Sequence, residues 1–169
     1  SVYRPDGGYV AGASCYPSNP GGGCEAAMPV ALPSTGTYSV IVSPPAGALL
    51  AGGRLAVSTP LAGTLQVGGG EQTVAIARPA QTARYTFSGT AAQLLRLNWT
   101  GASVSIAGAT AVTVSVLKPD GSTLTTASFG NGATGGVDIA ALPVTGTYTV
   151  VFDPTYAATL SVPVALVAR

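Results

Sequence analysis

Side chains able to do chemistry are scarce in this chain: six carboxylates, seven basic groups, two cysteines and no histidine. The absence of imidazole removes His-based triads and the commonest metal ligand together. Cys15 and Cys24 bracket the run Tyr-Pro-Ser-Asn-Pro-Gly-Gly-Gly, whose turn-forming residues suit bringing two sulfurs together. Closing that loop as a disulfide is worth roughly 2–3 kcal/mol on the chain-entropy model. A disulfide would also place the chain in an oxidising compartment, extracellular or periplasmic. The other reading, two thiols in a zinc site, asks for two further soft or imidazole ligands, and the chain has none.

The carboxylates are Asp6, Glu25, Glu71, Asp120, Asp138 and Asp153. No D-x-D cluster occurs, so a calcium cage has little support. Nor does anything mark two of them as the pair, within about 10 Å of each other, that glycoside hydrolysis needs. The only lysine, Lys118, invites an isopeptide bond to an asparagine. It reads instead as a solvated turn residue, because the equivalent position in an internal repeat is Arg4, which cannot form one. A Ser, Thr or Tyr nucleophile would have to be activated without histidine. The expectation is a protein that is not an enzyme and holds no cofactor. Asn98-Trp99-Thr100 matches the glycosylation sequon, with Trp99 expected in the core. Tyr3, Tyr9 and Tyr16 cluster near the start and suit either sugar stacking or, the favoured reading, packing on strand faces.

Two segments match the LPxTG pattern of sortase substrates: Leu32-Pro33-Ser34-Thr35-Gly36 and Leu142-Pro143-Val144-Thr145-Gly146. Each runs on into alternating sequence rather than an apolar span with a basic tail, so each reads as a turn feeding a strand. Gly36 and Gly146 are expected to supply unusual dihedrals there, and Tyr38 and Tyr148, two residues on, to form tyrosine corners. The duplication extends further. Ser1-Val2-Tyr3-Arg4-Pro5-Asp6-Gly7 is echoed by Ser115-Val116-Leu117-Lys118-Pro119-Asp120-Gly121 at an offset of 114, while the LPxTG-like segments lie 110 apart. The first copy therefore holds four extra residues, which fall where Cys15 and Cys24 sit. Residues 1–61 correspond to the second half of a unit, and 62–169 to a whole one. Half a β-sandwich leaves an apolar face and strand edges unpaired. Its missing strands come from another chain, from a segment preceding it, or from packing on the whole unit.

The elements that must carry these residues are strands. Glycine (23) and proline (13) leave no room for long helices. Apolar residues alternate with polar ones at Tyr85 and Phe87, at Leu95, Leu97 and Trp99, and at Val112, Val114 and Val116. They do so again at Tyr148, Val150 and Phe152, and in the first copy at Tyr38, Val40 and Val42. Pro5-Asp6-Gly7, Pro119-Asp120-Gly121, the glycines at 68–70 and Asn131-Gly132 punctuate turns. The spacing predicts an all-β fold, a jelly-roll-like antiparallel β-sandwich with one complete unit preceded by a half unit.

Ala83-Arg84-Tyr85-Thr86-Phe87-Ser88-Gly89, then 114–122 with its P-D-G turn, then 142–150 with its T-G-T-Y strand, follow one another in an order that resembles the bacterial pre-peptidase C-terminal (PPC) domain. Units of this kind also recur in large secreted repeat proteins, including those with Rhs-type repeats. The resemblance implies a jelly-roll-like sandwich without catalytic residues, attached to or repeated within exported proteins. Calcium-binding acidic positions known in some relatives are sparse here.

A net charge of +1 gives no basic field for nucleic acid or anionic lipid. Apolar stretches such as 46–53 and 160–168 fall short of the roughly 20 residues of a membrane span. No leader pattern opens the chain, so it reads as a mature secreted segment or a piece of a longer polypeptide. Only 8% of residues are charged, against roughly a quarter in an average domain. The outer strand faces must then be largely Thr, Ser, Ala and Gly, which are flat and easily desolvated. The leading expectation is a non-catalytic extracellular structural protein that self-associates, a filament or surface-assembly subunit whose half unit is completed by strands of a neighbouring chain. Its partners would be identical chains or adjacent repeat units. The alternative is a polysaccharide- or protein-binding accessory module of a secreted bacterial protein.

Overall fold

Alternating burial along the chain follows the alternating hydrophobicity, because successive side chains of a strand point to opposite faces. Leu95, Leu97 and Trp99 are buried, as are Val112, Val114 and Val116, then Tyr148, Val150 and Phe152, with the residues between them partly exposed. The computed structural model describes residues 1–12, 14, 32–44, 57–79, 81–105, 112–155 and 158–169. Cys15 and Cys24, with the disulfide expected between them, lie outside the described residues, as do Tyr16 and Glu25.

The fold is all-β. The strands are β1 (Val2–Tyr3), β2 (Tyr9–Ala11), β3 (Ser39–Val40), β4 (Leu61–Thr64), β5 (Gln72–Ile76), β6 (Ala83–Gly89), β7 (Leu95–Trp99), β8 (Ser103–Val104), β9 (Val112–Leu117), β10 (Thr123–Phe129), β11 (Gly135–Ile139), β12 (Gly146–Pro154) and β13 (Leu160–Ala168). They form two five-stranded sheets, ordered β10-β9-β12-β6-β4 and β11-β7-β13-β5 with β8 also on β13, and a three-stranded sheet ordered β2-β1-β3. The inner faces of the two larger sheets merge into one core that runs from Leu65 to Leu166. Trp99 of one sheet meets Phe129 of the other at a ring separation of 5.0 Å. No described residue of 1–44 belongs to that core.

Among the described strands one pair departs from an antiparallel arrangement: β4 runs parallel to β6, Leu61 opposite Ala83 and Thr64 opposite Thr86, and just beyond β4 a single parallel bridge joins Val67 to Leu166. The reason is the path of the chain. From β4 it crosses to the opposite sheet for β5 and returns for β6, and two reversals restore the original direction. Pro163 lies inside β13 without breaking it. On that edge β8 pairs Leu160 and Ser161 and β7 begins at Val164, and between them the Pro163 carbonyl still accepts from Thr100 N–H at 3.1 Å, so the proline falls where the strand passes from one partner to the other.

Aromatic rings also pack between β6 and β12. Phe87 stacks on Tyr148 at 5.4 Å and 17°, and Tyr85 meets the edge of Phe152 at 6.2 Å. Gly89, opposite Gly146, leaves the space taken by Leu142: a Cβ there would collide with Leu142 Cδ1 and stand 3.3 Å from the Tyr148 ring. Gly89→Ala is therefore expected to overpack the core and cost about 1–3 kcal/mol, read as a lower urea midpoint with an unchanged slope. A variant as stable as the wild type would show that Leu142 has room to move.

Candidate functional site

The three-stranded sheet repeats, residue for residue, the pairing of β10, β9 and β12. Val2 faces Val40 and Tyr3 faces Ser39; at the offsets of the duplication these are Val116 facing Val150 and Leu117 facing Thr149. Tyr3 faces Tyr9 and Val2 faces Ala11, with a register irregularity between them. Leu117 and Val116 face Thr123 and Thr125 with the same irregularity.

The turns match as well. Arg4 N–H donates to the Gly8 carbonyl at 2.7 Å, and Lys118 N–H to that of Ser122 at 2.8 Å. Gly7 and Gly121, at φ +82° and +83°, take the left-handed position that favours glycine. Asp6 and Asp120 each accept the backbone N–H two residues on, from Gly8 at 2.8 Å and Ser122 at 2.9 Å. They also lie 3.5 Å from Arg4 and 3.6 Å from Lys118. Lys118 is thus a turn residue paired with Asp120. The Ser122 hydroxyl, then its backbone N–H, then Lys118 hold the Asp120 carboxyl below its usual range.

The two LPxTG-like segments fold alike. Tyr38 Oη donates to the Ser34 carbonyl at 2.7 Å and Tyr148 Oη to that of Val144 at 2.6 Å. Each hydroxyl also accepts the N–H of the same residue, at 3.2 Å and 3.3 Å. Unusual dihedrals do not explain both glycines. Gly36 has φ +159°, but Gly146 shows no positive φ and is the first residue of β12. Their shared reason is close approach to the proline of the P-D-G turn: a Cβ would stand 2.7 Å from Pro5 Cγ at Gly36 and 2.8 Å from Pro119 Cγ at Gly146.

Burial separates the two copies. Val150 and Phe152 are fully buried, whereas Val40 and Val42, their counterparts, are 39% and 60% exposed. Leu142 is 1% exposed and its counterpart Leu32 is 59% exposed. Tyr148 is fully buried, and Tyr38 is only half-buried. Alternation in the sequence placed Tyr38, Val40 and Val42 on one strand face without marking that face as a surface. Aligning the copies was the signal available, since it maps these residues onto a dry core.

Among the described residues the sheet also ends at β3. Ile41 exchanges both backbone bonds with Ser1, each at 2.9 Å. In an antiparallel ladder consecutive residues bond to opposite sides, so Val40 aims its N–H and C=O at the open edge. At the same point in the larger sheet, Val150 faces Tyr85 of β6. An open strand edge beside exposed valines, with no charged side chain at 38–44, is the arrangement that other strands pair with.

The remaining polar groups do not converge. Among the described residues no three of His, Cys, Asp or Glu stand close enough to hold a metal ion. Asp138 bonds Arg96 at 2.7 Å and Arg169 at 3.1 Å, and the Thr100 hydroxyl donates to Glu71 at 3.0 Å. Asn98 Oδ1 accepts from Arg96 Nε at 2.9 Å, and Trp99 lies in the core. Tyr3 and Tyr9, opposite each other on β1 and β2, meet edge to face at 5.9 Å and 74°. Burial pushes the Asp153 carboxyl above its usual range. Among the described residues no helix is long and apolar enough to cross a membrane.

No protein-family model matches the chain, and no curated protein matches it. Among solved structures it is similar to the periplasmic inhibitor of g-type lysozyme, PliG, of Aeromonas hydrophila, at 17% identity and TM-score 0.40 over 64% of this chain and 99% of that one. It is similar to the pre-peptidase C-terminal domain of a Bacillus anthracis collagenase at 10% identity and TM-score 0.47, over 66% and 99%. PliG of Salmonella Typhimurium matches at 14% identity and TM-score 0.34, over 63% and 98%. Likeness at this level carries no functional weight.

The two tyrosine corners differ in what a lost hydroxyl should cost. Tyr148→Phe removes both bonds of a fully buried side chain to the Val144 backbone and is expected to cost about 1–3 kcal/mol, whereas Tyr38→Phe, half in water, should change stability by less than about 0.5 kcal/mol. Urea denaturation of both variants checks the difference, and equal effects would mean that the two corners are equally dry. For Asp153, a folded-state value above the unfolded one means that its contribution is present below the unfolded value and lost as pH rises through the folded one. Asp153→Asn is thus expected to raise the thermal midpoint at pH 7 and to leave it unchanged at pH 3. A midpoint lowered at pH 7 would show that the ionised carboxylate has a stabilising partner.

Proposed function

We propose that this chain is a non-catalytic, extracellular structural protein that self-associates through its β-sandwich units. Residues 1–61 are the second half of a unit and 62–169 a whole one, and the half unit is completed by strands of a neighbouring chain. Such a contact joins unlike surfaces of successive molecules, so it propagates into a filament or surface assembly instead of closing.

The observation that carries this reading is the contrast between the copies. The same pairing register holds Val150 and Phe152 fully buried and leaves Val40 and Val42 39% and 60% exposed beside an open edge. Burying a valine is worth roughly 1.5–3 kcal/mol, so covering that face is a driving force for association. Scarce charge adds to it, since only 8% of residues oppose desolvation of the outer faces. Cys15 and Cys24, if joined, staple the enlarged loop of the half unit and fit an oxidising compartment. No cofactor enters the proposal.

Sedimentation and negative-stain electron microscopy over a range of concentrations test it. Particles are expected to grow with concentration, and Val40→Asp with Val42→Asp to return them to single chains without changing the circular dichroism. Compact monomers at high concentration would overturn self-association. Monomers that instead sediment with an insoluble polysaccharide, or capture a purified protein, would favour an accessory binding module.

A further inference from the structure

We propose that the cleft between β4 and β5 of the complete unit binds a neutral polysaccharide, with Tyr85, Gln72 and Gln66 as its hydrogen-bonding groups. The inference goes beyond self-association and does not rest on it, because every residue it uses lies within 62–169.

Two hollows adjoin along this side of the sandwich. One, of about 360 Å³, has the buried side chains of Leu65 and Leu166 in its lining and Gln66, Glu71 and Gln72 exposed around them. The other, of about 380 Å³, lies between Gly63 and Thr64 of β4, Gln72 and Thr73 of β5, and Tyr85 of β6. Gln72 lines both, so the two form one elongated cleft. Local sequence shapes it. Gly63 has no side chain where the half-buried Tyr85 ring lies, and a Cβ there would stand 2.7 Å from Tyr85 Cδ1. Gly69 and Gly70 line the first hollow with bare backbone, and a Cβ at Gly70 would meet nothing within 4 Å.

The chemistry of the lining selects the class of ligand. Among the described residues the side chains of Thr64, Gln66, Gln72, Thr73 and Tyr85 make no hydrogen bond within the chain. Amides and hydroxyls both donate and accept, which is what a run of sugar hydroxyls requires. Glu71 is the one charged residue in the lining, and it accepts from the Thr100 hydroxyl. With a negative charge and no positive one, the cleft disfavours uronate, sulfate and phosphate groups and leaves neutral sugars. The leucines and the Tyr85 ring supply the apolar surface that the C–H faces of sugar rings rest on, as in ligand sites where a few polar groups fix orientation over an apolar floor.

NMR titration of the full chain with cellohexaose and with mannohexaose tests the proposal. Saturable shifts are expected at the backbone amides of 63–73 and 85 with at least one of the two, at a roughly millimolar Kd, as a shallow cleft with few contacts gives. Hexagalacturonate, the charged control, should produce none. Tyr85→Phe keeps the ring and Gln72→Ala lies at an exposed position, so both should leave the urea midpoint in place. Each should weaken binding roughly fivefold, the value of about one hydrogen bond. Absence of shifts with both neutral sugars overturns the proposal, as do equal shifts with hexagalacturonate or binding that neither variant weakens. The same titration on protein carrying Val40→Asp and Val42→Asp separates the cleft from self-association. Binding there is expected at wild-type strength, whether or not wild-type particles grow with concentration. Binding found only in grown wild-type particles would place the sugar at a contact between chains and overturn the inference.

Discussion

The pairing of β12 with β6 is the constraint on which the rest of the molecule depends. Seven residue pairs, from Gly146 opposite Gly89 to Phe152 opposite Ala83, bond the facing edges of both strands at the centre of a sheet, with β9 and β4 on their other edges. The same ladder sets Phe87 on Tyr148 and Tyr85 on Phe152. An extended strand with alternate apolar residues is stable only when its edges are bonded and its apolar face is dry, and this pair does both at once. The chain contains its own control. Beside β6, Tyr148, Val150 and Phe152 are fully buried; in the first copy Tyr38, Val40 and Val42, at the equivalent positions, stand partly in water.

Polar groups elsewhere are spent locally. Asp6 and Asp120 tie their own turns. Asp138 collects Arg96 and Arg169 on the partly exposed face of the second sheet. Pairs of this kind contribute at most about 1 kcal/mol each. They nonetheless take up much of the small stock of charge. Strand edges in other proteins are commonly protected by lysine, proline or an inward charge; the edge of β3, open among the described residues, carries no charge at 38–44, and its first proline is Pro44. Scarce charge and an open edge point the same way, toward contact with another strand.

Much of the architecture was legible along the chain. Alternation at 95–99, 112–116 and 148–152 marked which side of each strand would be buried, and the P-D-G turns marked where strands reverse. The duplication went further, because aligning 31–40 with 141–150 pairs each residue of one copy with its equivalent. Other features were not legible. Gly146 is glycine because Pro119 approaches it from another turn, and no local pattern carries that contact. The parallel placement of β4 against β6 depends on β5 belonging to the opposite sheet, which alternation does not specify.

By itself the sequence determined strands rather than helices, the apolar side of each alternating strand, the turns, the repeat, and the scarcity of residues able to do catalysis. Those properties depend on neighbours one to four positions away or on composition, and both can be read in one dimension. Only the tertiary structure decided which strands lie side by side, and hence which apolar faces are covered. Val40 and Val150 belong to near-identical segments and differ in burial because β12 is flanked by β6 and its inner face joins the core shared with the opposite sheet, and β3 has neither among the described residues. Pairing across tens of residues is settled by packing of the whole, so the exposed face at 38–42 becomes visible only once the strands are in place.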